Sequence, residues 1–260
     1  MRGMNKEVLS NLYKKAKTRG HHQHRISGRG PYRDCIAKVT IKMEYDKSFF
    51  EKIFSSARTR KYFALYPNDE KKAIIHYECN IKLSESFYPS MSILEVALRN
   101  ALARELEAFA GRTDWYNIFA TTPGLTDLNK YITQARKMIV TRGEVENPGK
   151  ITAELTLGFW TSLLNRNYER ILWKDLRRAF PFMPKKLRQR KVIAAYLNRF
   201  RHLRNRIDHN EPICWNVKRA EELHEDLLQV MAWINKGIPS WESRLDGFDI
   251  VCSDIKKKLL

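Results

Sequence analysis

The spacing of hydrophobic residues changes along the chain. From Met91 onward they recur every three or four positions. Leu94, Leu98, Leu102, Leu106 and Phe109 mark one face before Gly111, and Leu128, Tyr131, Ile132, Ala135, Met138 and Ile139 mark another before Gly143. That period, closed by a glycine, predicts α-helices. Further helices are expected near 152–164, 167–180 (ending at Pro181), 185–209 and 216–236 (ending at Gly237). Before residue 90 the pattern differs. Val8, Leu9, Leu12 and Tyr13 open a short helix, and three glycines and a proline break 18–31. Then Val39, Ile41, Met43 and Tyr45, and later Ile75, Tyr77, Cys79, Ile81 and Leu83, alternate with polar residues. Period two predicts half-buried strands. The expected fold is mainly α: a helical domain over 86–260 with a small basic α+β appendage over 1–85.

With 43% hydrophobic and 11% aromatic residues the chain can build a core, which excludes a disordered or collagen-like polymer. No apolar run approaches the ~18 residues that cross a bilayer, and the first residues carry charge without an apolar block. A soluble, cytoplasmic protein with no membrane partner is expected. Cys35, Cys79, Cys214 and Cys252 lie far apart with no C-x-x-C, so reduced thiols are expected rather than disulfides or a cysteine zinc site.

Charge changes this picture most. The 48 basic and 29 acidic residues give +19, and they are segregated: 16 against 5 in 1–65, 11 against 12 in 66–165, 14 against 2 in 166–206, and 7 against 10 in 207–260. Basic blocks attract phosphates and release their counterions, which points to nucleic acid. The run Arg177, Arg178, Lys185, Lys186, Arg188, Arg190 and Lys191, with Arg201 on the helix that follows, is the expected RNA contact.

Placed on a helix, residues 191–209 show two stripes. Ile193, Tyr196, Phe200, Leu203 and Ile207 form the apolar one, and Asn198, His202, Asn205 and His209 a polar one nearly opposite. Arg204 stands at the apolar edge. Pro212 disfavours helical geometry at Glu211, so His209 should fall in the last turn. By spacing alone, Arg204 and Asp208 make an ordinary i, i+4 ion pair and His209 an ordinary helix cap.

The segment LRNRIDHNEPI (203–213) resembles the R-N-x(3)-H-x-E-P-I signature of the Abi-like, or abortive-infection, branch of the HEPN ribonuclease superfamily. Residues 86–116 are similar to that family's first block and 155–181 to its aromatic-rich second. The resemblance covers about half the chain, Phe87 to Ile213, and leaves the first 85 residues uncovered. One departure is that many relatives carry two adjacent histidines where this chain has His209-Asn210. The resemblance implies a HEPN-type helical bundle and metal-independent endoribonuclease activity with no cofactor. Its catalytic residues would be Arg204, Asn205 and His209, in a toxin or phage-defence effector restrained by an antitoxin or inhibitory RNA. The residues permit that chemistry. Cutting RNA without metal needs a base for the 2′-hydroxyl, an acid for the departing 5′-oxygen and charge stabilisation between them. Histidine serves as acid or base near neutral pH, and arginine offers forked donors to phosphate. Arg204 and His209 lie about 140° apart around an ideal helix, so a homodimer pairing two such helices is expected to complete the site.

Other features weigh less. Glu95, Arg99 and Asn100 stand in the first block as an orienting ion pair or as support for the cleft. His21, His22, His24 and Cys35 lack ligand spacing, and no metal is expected. Trp115, Tyr116, Phe159, Trp160 and Trp173, spaced among leucines, are expected in the core rather than stacked on bases. Phosphate-loop, dinucleotide, H-E-x-x-H and G-x-S-x-G motifs do not occur. The rival reading is a non-catalytic RNA-binding scaffold built on the same bundle.

Overall fold

In the computed structural model, which describes residues 45–259, twelve α-helices follow one another with no strand among the described residues. They are α1 (Lys47–Phe54), α2 (Ser56–Leu65), α3 (Glu70–Ser86), α4 (Tyr88–Ala110), α5 (Asn129–Thr141), α6 (Pro148–Glu154), α7 (Leu157–Ser162), α8 (Glu169–Leu176), α9 (Arg190–Asp208), α10 (Val217–Ile234), α11 (Gly237–Glu242) and α12 (Phe248–Leu259). Short 3-10 turns lie at Trp115–Ala120, Thr126–Leu128, Arg166–Tyr168 and Arg177–Ala179. No described helix is long and apolar enough to cross a membrane.

The longest helix, α4, organises the bundle. Pro89 occupies its first turn, where an amide hydrogen has no intrahelical partner to lose. Leu94, Leu98, Ala101, Leu102 and Leu106 are wholly buried along it. Gly111, at φ 66°, closes it by donating its N–H to the Glu107 carbonyl at 2.9 Å. Helices α7, α8 and α10 pack against this core stripe. Truncating one of its leucines to alanine would cost about 2–5 kcal/mol.

Trp115, Phe119, Phe159 and Trp160 are fully buried with rings 5.0–6.3 Å apart, and the Trp160 indole donates to the Leu155 carbonyl at 3.1 Å. With buried Tyr116 and the half-buried Trp173 these side chains belong to the core, out of reach of stacking bases. Cys79, Cys214 and Cys252 are buried free thiols, and burial pushes Cys214 up to about 12 and Cys252 to about 11.

One expected strand is a helix. Ile75, Tyr77, Cys79, Ile81 and Leu83 all lie in α3, capped by the Asp69 carboxylate accepting from the Lys72 N–H at 2.9 Å. Alternation misled because burial there does not follow hydrophobicity. Ile75 and Ile81 are exposed, at 37% and 51%, while His76 and Asn80 are buried at 4% each. By its contacts, the stretch from Asp46 to the end of the described residues, 46–85 included, forms one compact unit. The helix at Val8–Tyr13, the loop at 18–31, the strand positions Val39, Ile41 and Met43, and His21, His22, His24 and Cys35 lie outside the described residues. The helix expected over 152–164 breaks where Leu155 adopts extended backbone. That expected from 185 begins at Arg190, because Arg188 ties the preceding turn to the Pro181 and Met183 carbonyls at 2.6 and 2.7 Å.

Candidate active site at the end of helix α9

Helix α9 buries Ile193, Leu197, Phe200 and Leu203 and leaves its opposite edge in solvent. It is held to α10 by Arg199, whose Nε donates to Asp226 at 2.6 Å, and by Tyr196, whose ring meets Trp233 at 4.7 Å. Asn205 and His209 are exposed, and His202 beside them is too. Their side chains have no hydrogen-bond partner among the described residues.

The helix ends in a fixed turn. Asn210 adopts φ 52°, its N–H donates to the Ile207 carbonyl at 2.9 Å, and the Glu211 N–H donates to the Arg206 carbonyl at 2.7 Å. This paired arrangement satisfies two of the last carbonyls and requires a left-handed residue, which asparagine tolerates better than histidine. Asn210 thus holds its place for a backbone reason.

Two residues that sequence reasoning missed secure the turn from outside it. Arg58 on α2 donates to the carbonyls of His209 at 3.1 Å and Asn210 at 2.6 Å. Buried Asn80 on α3 accepts from the N–H groups of Ile213 at 2.6 Å and Cys214 at 3.2 Å. Arg206 pairs with Glu211 and donates to the Pro212 carbonyl. The Asn-Glu-Pro-Ile stretch therefore has a structural use: it turns the chain from α9 toward α10. A groove of about 430 Å³ opens beside it, lined by Arg58, Tyr77, Asn80, Ser84 and Asn210.

Arg204 is not free. Its Nε lies 3.2 Å from Glu95 on α4 and one terminal nitrogen 3.0 Å from Asp208, with 39% of the side chain exposed. The structure thus joins Glu95 to the motif arginine. It places Arg99 and Asn100 elsewhere, in a second groove of about 370 Å³ between α4 and α6, where the Arg99 Nε is buried without a hydrogen-bond partner.

The expected RNA contacts divide into two sets. Arg178 pairs with Glu105 and Asp175, Arg190 with Glu169 and the Leu164 carbonyl, and Arg188 with the two carbonyls named above, so all three are committed to the fold. Arg177, Lys185, Lys186 and Lys191 are exposed and Arg201 half-buried, with no carboxylate partner among the described residues. Comparison with protein-family models, curated proteins and solved structures returns no match.

Proposed function

We propose that the chain is a metal-independent endoribonuclease of HEPN type, acting in the cytoplasm as a toxin or abortive-infection effector at a cleft between two copies. The observation that carries this reading is the end of α9. There the backbone is fixed by Arg58, Asn80 and a left-handed Asn210, while the side chains of Asn205 and His209 stay open to solvent. Held backbone with free polar tips is what proton transfer to a polymer requires.

In a two-fold pair of α9 helices, one His209 takes the 2′-hydroxyl proton. That oxygen attacks phosphorus, and the second His209 protonates the departing 5′-oxygen. Arg204, steered by Glu95, faces the phosphorane oxygens, and Asn205 orients an imidazole or the strand. Arg177, Lys185, Lys186, Lys191 and Arg201 guide the RNA. An antitoxin or inhibitory RNA restrains the enzyme, and the first 45 residues, the basic part of the expected α+β appendage, supply further phosphate contacts.

One observation favours the scaffold reading instead: Arg204 already satisfies two carboxylates. Labelled RNA incubated with the protein in EDTA separates the two. The enzyme yields 2′,3′-cyclic phosphate ends, and His209→Ala and Arg204→Ala each remove cleavage without unfolding. RNA binding with intact RNA, or undiminished cleavage in those variants, rejects catalysis here.

A further inference from the structure

Away from α9, one buried cluster is oddly charged for a chain of net +19. His224 on α10, Glu242 at the end of α11 and Asp246 in the turn before α12 bring one ligand atom each to within 4.8 Å of one another. The His224 Nε2 is 3.4 Å from Asp246 Oδ2. Ser90, in the first turn of α4, places its hydroxyl 2.9 Å from that nitrogen and 2.5 Å from Glu242 Oε1. His224 is 5% exposed, Glu242 1% and Ser90 0%, and the Asp246 side chain 13%.

Serine, histidine and aspartate at these distances are not a nucleophile relay. Ser90 and Asp246 address the same ring nitrogen, whereas a relay needs the two opposite ones, and a wholly buried hydroxyl meets no substrate. Charge balance is the sharper clue. Among the described residues no Lys or Arg pairs with Glu242 or Asp246, and the exposed Glu225 and Asp249 add negative field at His224. Buried carboxylates want a cation, and the histidine can offer at most one charge.

The ring is also set for ligation. It stacks on Phe248 at 4.1 Å and 8° and meets Phe87 edge-on, which aims Nε2 at the two carboxylates. Bonds of about 2.0–2.2 Å around a tetrahedral ion separate ligand atoms by roughly 3.3–3.6 Å, inside the span found here.

We propose that His224, Glu242 and Asp246 form a site for one divalent transition ion of the zinc class, with the Ser90 hydroxyl orienting Glu242. Nitrogen with carboxylate oxygen suits zinc or its neighbours. The ion fastens α11 and α12 onto α4 and α10, and its role is structural. These ligands lie too far apart in sequence to form a recognisable metal motif.

Chelator-stripped full-length protein, given Zn²⁺ or Co²⁺, should bind one equivalent by elemental analysis and raise its Tm by about 5 °C. Glu242→Gln and Asp246→Asn, nearly isosteric, should each lose that equivalent and that shift. Absence of binding and of any shift in the parent protein overturns the proposal, whatever the variants do. An equivalent kept by both variants places the metal elsewhere, at the His21, His22, His24 and Cys35 stretch for example, and overturns it equally. Removing the ion lowers Tm while leaving the strand cleavage proposed for His209 intact, so the two readings fail separately.

Discussion

At the end of α9 and between α4, α10 and α11, a histidine stands among acidic groups, and the two regions differ in what is held. His209 is anchored through its carbonyl, which accepts from Arg58, while its ring reaches solvent. His224 is anchored through its ring, stacked on Phe248 and bonded to Ser90, and it is sealed. A free imidazole edge can exchange a proton with a substrate. An engaged one holds neighbours together. Residue type is the same in both places, and solvent access with the choice of anchored atom assigns the task.

The largest effect tests this directly by making one substitution in both regions. His209→Ala should lower single-turnover RNA cleavage by about 10²–10⁴-fold and leave Tm within about 1 °C by calorimetry. His224→Ala should lower Tm by about 5–10 °C through lost stacking on Phe248 and the lost imidazole partner of Ser90 and Asp246. Its cleavage per folded molecule should stay unchanged. Equal thermal losses in both variants would erase the contrast.

Asn80→Ala comes next, because Asn80 joins a sealed position to the open site. Removing its carbonyl leaves the N–H groups of Ile213 and Cys214 unpaired, at about 1–3 kcal/mol. Tm should fall by about 3–8 °C and cleavage by roughly tenfold as the turn loosens. Asn80→Asp keeps the acceptor and should recover most of the thermal loss.

Asn80 also marks where the sequence stopped being legible. Helices α4, α5, α8, α9 and α10 could be read because their buried stripes are apolar at helical spacing, with a closing glycine as at Gly111, whereas α6 and α7 read as one helix and α11 and α12 carry no such stripe long enough to read. Helix α3 could not, since it packs on α2, α4 and α12 and so buries polar His76 and Asn80 while exposing Ile75 and Ile81. Exposure of His209 and Asn205 follows from the polar stripe on α9. The Glu95–Arg204 contact joins residues more than a hundred positions apart, and no local pattern announces it. Nor does any pattern separate Arg190, tied to Glu169, from its neighbour Lys191, which faces water.

Smaller effects probe Arg204. Its carboxylate partners are partly exposed, and such pairs contribute about 0–1 kcal/mol, so Glu95→Gln and Asp208→Asn should each move Tm by less than about 3 °C. If Glu95 steers the guanidinium toward phosphate, Glu95→Gln lowers kcat about three- to tenfold with KM unchanged, and Asp208→Asn does less. A Glu95 that only braces two helices would leave kcat alone.

The smallest expected effect is a slope with pH, and it falls on a third histidine. His76 is buried on α3 against Tyr62, Tyr66 and Trp215, with its Nδ1 3.2 Å from the Tyr66 hydroxyl. Burial, aided by Lys72 and opposed by the Cys214 backbone, holds its imidazole below the ordinary 6.5. The unfolded chain therefore binds a proton near pH 6.5 that the folded chain still refuses. Stability is full above that value and declines as pH falls toward the lowered folded value, below which this histidine changes nothing further. His76→Gln should flatten that decline in Tm measured from pH 7 to 5. The rate of RNA cleavage at pH 7 should stay unchanged in the same variant. A cleavage rate that falls with His76→Gln would mean that the sealed histidine supports the open site, and that solvent access alone does not divide their work.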